Sequence, residues 1–312
     1  MKASKTEQRN PHTRGLDKKS SIEIVRAMNR EDKRVALGVG RILPQIARAV
    51  DAIVKSFESG GRLIYIGAGT SGRLAVLDAS ECPPTFGTPP RMVQGIIAGG
   101  QRALRHAVEG AEDSVANGAR DLRRIGLESN DVVVGIAASG TTPYVLGALR
   151  FARQRKATTV SVTSNAGSAL ARQAKIAIVV ETGPEIVAGS TRLKAGTAQK
   201  LVLNMLSTAA MARMGRVYEN WMVAVALTNK KLMRRGARIL EEAAGVSASA
   251  AAHALRLAGH DMPTALVMLK TGGSAGNARK RLTSARGSVR KAIEMRNEGV
   301  AAGVSVSRKG RK

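Results

Sequence analysis

Two stretches of this chain carry groups able to hold a phosphate and move protons. The first, Gly67-Ala68-Gly69-Thr70-Ser71-Gly72-Arg73, runs on to Asp78-Ala79-Ser80-Glu81-Cys82-Pro83-Pro84, and the second is Ala107-Val108-Glu109-Gly110-Ala111-Glu112-Asp113-Ser114. Glycines let backbone amides approach an anion closely, and Thr70 and Ser71 add hydroxyls where a following helix exposes its free amides. The same spacing matches the dinucleotide fingerprint Gly-x-Gly-x-x-Gly, which needs an acid at the end of the next strand to hold ribose hydroxyls. That strand ends in Ile96-Ile97-Ala98-Gly99-Gly100, without an acid, so the loop suits a phosphomonoester better. A compact α/β fold could bring Glu81 to face a carboxylate of the second stretch, and paired carboxylates beside a phosphate point to sugar-phosphate chemistry.

A second hydroxyl loop, Ala138-Ser139-Gly140-Thr141-Thr142-Pro143, ends with a proline placed for a helical first turn. A third group, Gly189-Ser190-Thr191-Arg192-Leu193-Lys194, adds hydroxyls and cations. Any single Ser/Thr-Gly turn is more often a plain helix cap, but three in one α/β domain, two of them at strand ends, favour phosphate binding. The double proline predicts an extended turn that holds Glu81 on a loop, the alternative being a solvent-facing residue closing a helix. On chemistry alone, Glu109, Glu112 and Asp113 read first as a charged turn complementing a helix dipole. His12, His106, His253 and His260 show no ligand spacing and Cys82 is the single cysteine, so neither a metal site nor a disulfide framework is expected.

The elements that position these groups divide the chain into three parts. Residues 1–60 read as a helical lead-in. Ser20-Ser21-Ile22-Glu23 has capping-box spacing and predicts a helix near 20–29. From Val35 to Phe57 apolar residues recur every three or four positions, and Pro44 inside that pattern predicts either a kink or a helix start. Residues 61–220 alternate candidate strands, Arg62–Ile66, Val93–Ala98, Asp131–Ala137, Thr158–Thr163 and Ile176–Val180, with Gly/Ser/Thr-rich turns and helical patterns. This is the signature of an α/β fold, a doubly wound parallel five-stranded sheet with ligand loops at the strand carboxyl ends. A long helix from about Leu193 to Met214 closes that domain. Residues 221–312 read as a small all-helical, alanine-rich domain broken at Gly245, Gly259, Gly272-Gly273 and Gly287, with a polar basic tail expected to fray.

Composition sets outer limits. With 312 residues and 44% hydrophobic content the chain can bury a substantial core. No apolar run approaches the roughly 20 residues that span a bilayer, and Met1 to Lys19 lacks the apolar centre of a secretory signal, so a cytoplasmic location and no membrane association are expected. Fifty Lys and Arg against 23 Asp and Glu give a net charge of +27. The basic residues are scattered and aromatics are few, one Trp, three Tyr and three Phe, which argues against a stacking surface for nucleic acid and for a solvated surface that attracts anionic metabolites.

The runs Gly67–Gly72, Asp78–Thr85, Ala107–Ser114, Ala137–Tyr144 and Ser190–Lys200 together resemble those of bacterial N-acetylmuramic acid 6-phosphate etherases, a branch of the sugar-isomerase (SIS) domain proteins. The likeness extends from Thr6-Glu7-Gln8-Arg9-Asn10 to Val225–Asn229 and, beyond about residue 235, continues in pattern only. It implies cleavage of the D-lactyl ether at C3 of N-acetylmuramic acid 6-phosphate by elimination and water addition. Glu81 would be the acid that protonates lactate and Glu112 the base at C2. It also implies Thr70, Ser71, Ser139, Thr141 and Thr142 around the 6-phosphate with Ser190 and Lys194 nearby, neither metal nor other cofactor, and a homodimer. Alternatives of the same fold are a phosphosugar isomerase, which has no need of the second acid, and a non-catalytic phosphosugar sensor. Sensors that regulate transcription carry a helix-turn-helix domain in front, and the roughly 60 leading residues here read as one short and one long helix.

Overall fold

The computed structural model describes residues 5–225, 227 and 229–295, so the basic tail lies outside the described residues. Two compact units meet in sequence after Met214. The first opens with 3-10 turns at Lys5–Glu7, Pro11–Thr13 and Leu16–Lys18. Helix α1 (Ser21–Gly40) starts with both halves of the predicted capping box in place, the Ser20 N–H donating to Glu23 Oε2 at 2.8 Å. It runs well past residue 29 because Ala27, Glu31, Val35 and Val39 keep one buried stripe at four-residue spacing. Pro44 sits in the first turn of α2 (Leu43–Glu58), so it starts a helix and kinks nothing, and the apolar residues from Val35 to Val39 belong to α1.

Then follow β1 (Leu63–Gly67), α3 (Gly69–Phe86), β2 (Val93–Ile97), α4 (Arg102–Arg105), α5 (Val115–Arg124), β3 (Val132–Ile136), α6 (Pro143–Gln154), β4 (Thr158–Thr163), α7 (Ala169–Gln173), β5 (Ile176–Val179) and α8 (Lys194–Arg213). All five predicted strands are present and parallel, in the order β2-β1-β3-β4-β5. Their near-continuous apolar runs are those of strands covered on both faces, and Leu63, Ile64, Tyr65 and Ile66 are all fully buried. The chain winds one way from β1 to β2 and the other way from β3 onward, so a crevice opens at the carboxyl ends of β1 and β3. Gly67 pairs with Ile97 on one side and Ile136 on the other, which brings the ends of all three strands level there. Helices α1, α2 and α3 pack on α8. Helix α5 lies against α6 with backbones almost touching: a Cβ on Gly118 would stand 2.0 Å from the Tyr144 carbonyl oxygen.

The second unit is helical: α9 (Lys230–Ala244), α10 (Ala248–Leu257), α11 (Met262–Thr271), α12 (Ala275–Ser284) and α13 (Val289–Glu294). Asn229, Ser247, Asp261, Ser274 and Ser288 each cap one helix by accepting a backbone N–H three residues on. The expected breaks fall between these helices, and Leu240, Leu255, Leu266, Val267 and Val289 share one buried cluster.

Candidate active site

The loop after β1 turns directly into α3, whose first-turn amides lie at the crevice. Gly72 is required there by close packing: a Cβ would come 2.8 Å from the Gly67 carbonyl oxygen and 2.5 Å from the Ile97 side chain. Thr70 is half-buried, and its Cγ2 is 3.6 Å from where a Cβ on Gly196 would stand, so this loop abuts the first turn of α8. Ser71 points inward instead. It is buried and its hydroxyl donates to Gln199 Oε1 on α8 at 2.9 Å, so it fastens two helices together.

The loop after β3 leaves its hydroxyls near the surface. Thr142 occupies the N-cap position of α6 without its side chain capping the helix, and Pro143 fills the first turn as expected. Ser139 Oγ accepts from the Thr141 N–H at 3.2 Å and the Thr141 hydroxyl at 3.1 Å, gathering these groups at one point. Gly140 has φ +69° and lies so close to Ser168 that a Cβ would meet its Oγ at 2.3 Å.

Glu112 is exposed at the end of a turn that faces the β1 loop. Gly69, Arg73, Ala98, Glu109 and Glu112 line a shared cavity of about 180 Å³. The Glu112 carbonyl accepts the Tyr144 N–H at 3.0 Å, which joins this turn to the start of α6. Ser114, two residues on, caps α5 by accepting from the Asn117 N–H at 3.2 Å. Glu109, Glu112 and Asp113 therefore precede the helix cap, and the reading of them as a helical first turn is replaced by a structured approach to the cavity.

Glu81 lies on a helix, not on an extended turn, because α3 continues through Pro83 and Pro84 to Phe86 and closes at Gly87 in the left-handed conformation. The prolines fall in the terminal turn, where few carbonyls lose a donor, and buried Cys82 and Phe86 anchor that turn to the core. Twelve residues of helix separate Gly69 from Glu81, about 18 Å of rise. Glu81 is not among the residues that line the cavity of Glu112. Both side chains are exposed, and among the described residues neither carboxylate has a hydrogen-bond or ion-pair partner. Burial, with Asp78 and Glu81 nearby, pushes the Cys82 thiol up to about 12, which keeps it protonated.

Lys194 is no free cation. It is buried, with Nζ 2.5 Å from Glu31 Oε2, and Glu31 also accepts from Asn10 Nδ2 at 3.0 Å. Burial opposes ionisation of Glu31, but the hydrogen bonds from Lys194 and Asn10 outweigh it and hold the carboxyl below its ordinary pKa. Glu185 accepts the Lys194 and Ala195 N–H groups at 2.9 Å each, and burial pushes its pKa up. Ser190, half-buried, precedes this clasp. A larger cavity of about 290 Å³ opens over it, lined also by His12, Arg34 and Arg41, but its glutamate is already bound to lysine. The smaller cavity, with an unpartnered carboxylate at a glycine-rich loop, is the candidate site. Glu31, Glu185 and Asn165 are absent from the sequence-derived set. For Glu31 a signal existed, a charge on an otherwise apolar four-residue stripe.

Comparison with known proteins agrees with this architecture. The SIS domain family matches residues 115–209, and the glucokinase regulatory protein N-terminal SIS domain family matches residues 45–153. A phosphoheptose isomerase from Francisella tularensis shares the fold at a TM-score of 0.50, with 21% identity over 62% of this chain and 100% of that one. Two N-acetylmuramic acid 6-phosphate etherases are much more similar. That of Brucella anthropi is 55% identical over 92% of this chain and 94% of its own length, and that of Geobacillus thermodenitrificans is 54% identical over 93% and 98%. With more than half of its residues identical along nearly its whole length, the chain belongs to the N-acetylmuramic acid 6-phosphate etherase family.

Proposed function

We propose that this chain cleaves the D-lactyl ether of N-acetylmuramic acid 6-phosphate, releasing D-lactate and N-acetylglucosamine 6-phosphate, with Glu112 as base and Glu81 as acid. The observation that carries this reading is the unpartnered Glu112 carboxylate sharing a cavity with the glycine-rich loop, in a chain so similar to the etherases. An ether oxygen is a poor leaving group, so direct displacement by water is slow. In the open-chain sugar the C1 aldehyde acidifies the C2 proton. Glu112 removes it, the C3–O bond breaks as C2=C3 forms, and Glu81 protonates the departing lactate oxygen. Water then adds to C3 of the unsaturated aldehyde, losing a proton to Glu81, while C2 regains one from Glu112.

Thr70, Ser139, Thr141, Thr142 and Ser190 would hold the 6-phosphate, remote from the reacting carbons, and supply binding energy shared by substrate and transition state. Ser71 and Lys194 would serve through what they fasten, the two ends of the α3–α8 and α1–α8 contacts. Glu81 is not among the residues lining the cavity of Glu112, and in the homodimer that the family resemblance implies one subunit's Glu81 would serve its partner's site. Leu77, one turn before Glu81 and 50% exposed, gives that face of α3 an apolar group to bury against a second copy. No helix among the described residues is long and apolar enough to cross a membrane. We place the reaction in the cytoplasm, in the recycling of cell-wall amino sugars.

The test is incubation with the phosphosugar in heavy-oxygen water. D-lactate release with label entering the sugar at C3 is expected, and each of Glu81→Gln and Glu112→Gln should abolish it. Refolding the two inactive variants together should restore part of the activity, because some mixed dimers then hold one intact site. Isomerisation without lactate would sink the etherase reading, and failure of the mixture to recover would sink the shared site alone.

A further inference from the structure

The loop after β4 holds a side chain that the mechanism above does not use, although it touches the Ser139 loop directly and reaches the Ser190 loop through Thr6. Asn165 is 8% exposed. Its Nδ2 donates to the Ala138 carbonyl at 3.0 Å, to the Ser139 carbonyl at 3.4 Å and to Thr6 Oγ1 at 3.2 Å, while its Oδ1 accepts the Lys5 N–H at 3.1 Å. Thr6, fully buried, accepts the Gly189 N–H at its carbonyl at 3.3 Å, next to Ser190. One carboxamide thus joins three segments distant in sequence: the N-terminal turn, the β3 loop with Ser139, and through Thr6 the loop with Ser190.

We propose that Asn165 is a positioning residue for phosphate binding, clamping the β3 loop and the Ser190 loop to the N-terminal turn. The proposal rests on the reading that the Ser139 loop holds the 6-phosphate. Its chemistry is specific to a carboxamide, which alone among the uncharged polar side chains of this length offers a donor to two carbonyls and an acceptor to an amide on opposite edges. Aspartate in its place would set a carboxylate oxygen against the Ala138 and Ser139 carbonyl oxygens. The Ala138 carbonyl has two further donors, the Ser164 N–H at 3.0 Å and the Thr163 hydroxyl at 3.2 Å. Losing Asn165 therefore leaves the loop attached at Ala138 but free at Ser139 and uncoupled from Thr6. Hydroxyls that must converge on one phosphate tolerate little displacement, and a phosphate far from the reacting carbons contributes mainly to uniform binding.

The experiment uses the full-length enzyme, with steady-state kinetics on N-acetylmuramic acid 6-phosphate and competitive inhibition by inorganic phosphate. Asn165→Asp should raise KM and the phosphate inhibition constant together by about tenfold, the equivalent of one hydrogen bond, with kcat unchanged. Thr6→Val should do the same more weakly and Thr6→Ser should not, since it keeps the hydroxyl. If Asn165→Asp folds poorly, the Thr6→Val and Thr6→Ser pair decides. Unchanged KM and phosphate inhibition in these variants, where Ser139→Ala raises both, would overturn the clamp and leave the phosphate reading standing. Unchanged values in Ser139→Ala itself would overturn that reading, and the clamp with it.

Discussion

Two pairs of glutamates in the first unit are treated in opposite ways. Glu31 and Glu185 are buried and surrounded by donors, a lysine ammonium and a carboxamide for one and two helix-start amides for the other. Glu81 and Glu112 are exposed, and no described residue bonds to either carboxylate. A buried carboxylate must be paired or its desolvation is ruinous, whereas one that is to exchange protons with a substrate has to keep its lone pairs available. Function and support are therefore separated by partner count, a property that residue type does not disclose.

The largest effect that could break this comparison is catalytic. Glu112→Gln keeps the shape of the side chain and removes its basicity, so lactate release should fall by about 10² to 10⁴-fold, the usual contribution of general acid–base catalysis. Its melting temperature should stay near that of the wild type, because an exposed, unpartnered side chain supports nothing. A variant that lost stability instead of turnover would place Glu112 with the structural pair.

Glu31→Ala should do the reverse. It strands the Lys194 ammonium in a buried site, and breaking a buried pair by removing one partner costs about 3–5 kcal/mol. Urea denaturation would read this as a lowered midpoint, while kcat of the folded fraction should be close to that of the wild type.

The same clasp gives a pH dependence whose sign differs between its two carboxyls. Glu31 has a folded pKa below the unfolded value of about 4.3, so its contribution is complete above that value and is lost as pH falls through the folded pKa. The melting-temperature gap between wild type and Glu31→Gln should accordingly narrow as pH drops below about 4. Glu185 has a raised folded pKa, so its contribution is present below about 4.3 and declines as pH rises through the folded value. A gap that widened on acidification would mean that Lys194 and Asn10 do not outweigh burial at Glu31.

The sheet was legible in the sequence because parallel strands buried on both faces are written as short apolar runs, and Leu63–Gly67, Val132–Ile136 and Thr158–Thr163 stand within a residue of where those runs place them. The hydroxyl-rich turn placed the Ser139 loop at the carboxyl end of β3 for a similar local reason. What the sequence hid is long-range partnership. Lys194 pairs with Glu31 across 163 positions and Asn165 reaches Thr6 across 159, and no local pattern marks such contacts. The extended turn read at Pro83 and Pro84 gives way to its alternative, a solvent-facing Glu81 near the end of a helix, because burial of Cys82 and Phe86 outweighs local proline chemistry.

Adjacent hydroxyls at the start of α3 give the finest version of the comparison. Thr70 and Ser71 share a motif, yet Ser71 donates to Gln199 and is buried, whereas Thr70 stands half-exposed beside the first turn of α8. Ser71→Ala should therefore cost about 1 kcal/mol of stability, a typical net value for one hydrogen bond, and leave KM for the phosphosugar unchanged. Thr70→Val, which keeps the volume and removes the hydroxyl, should raise KM several-fold with little change in stability. The opposite pattern would mean that the phosphate draws Ser71 out of its bond with Gln199 on binding, and that the contact between α3 and α8 is exchanged in each turnover.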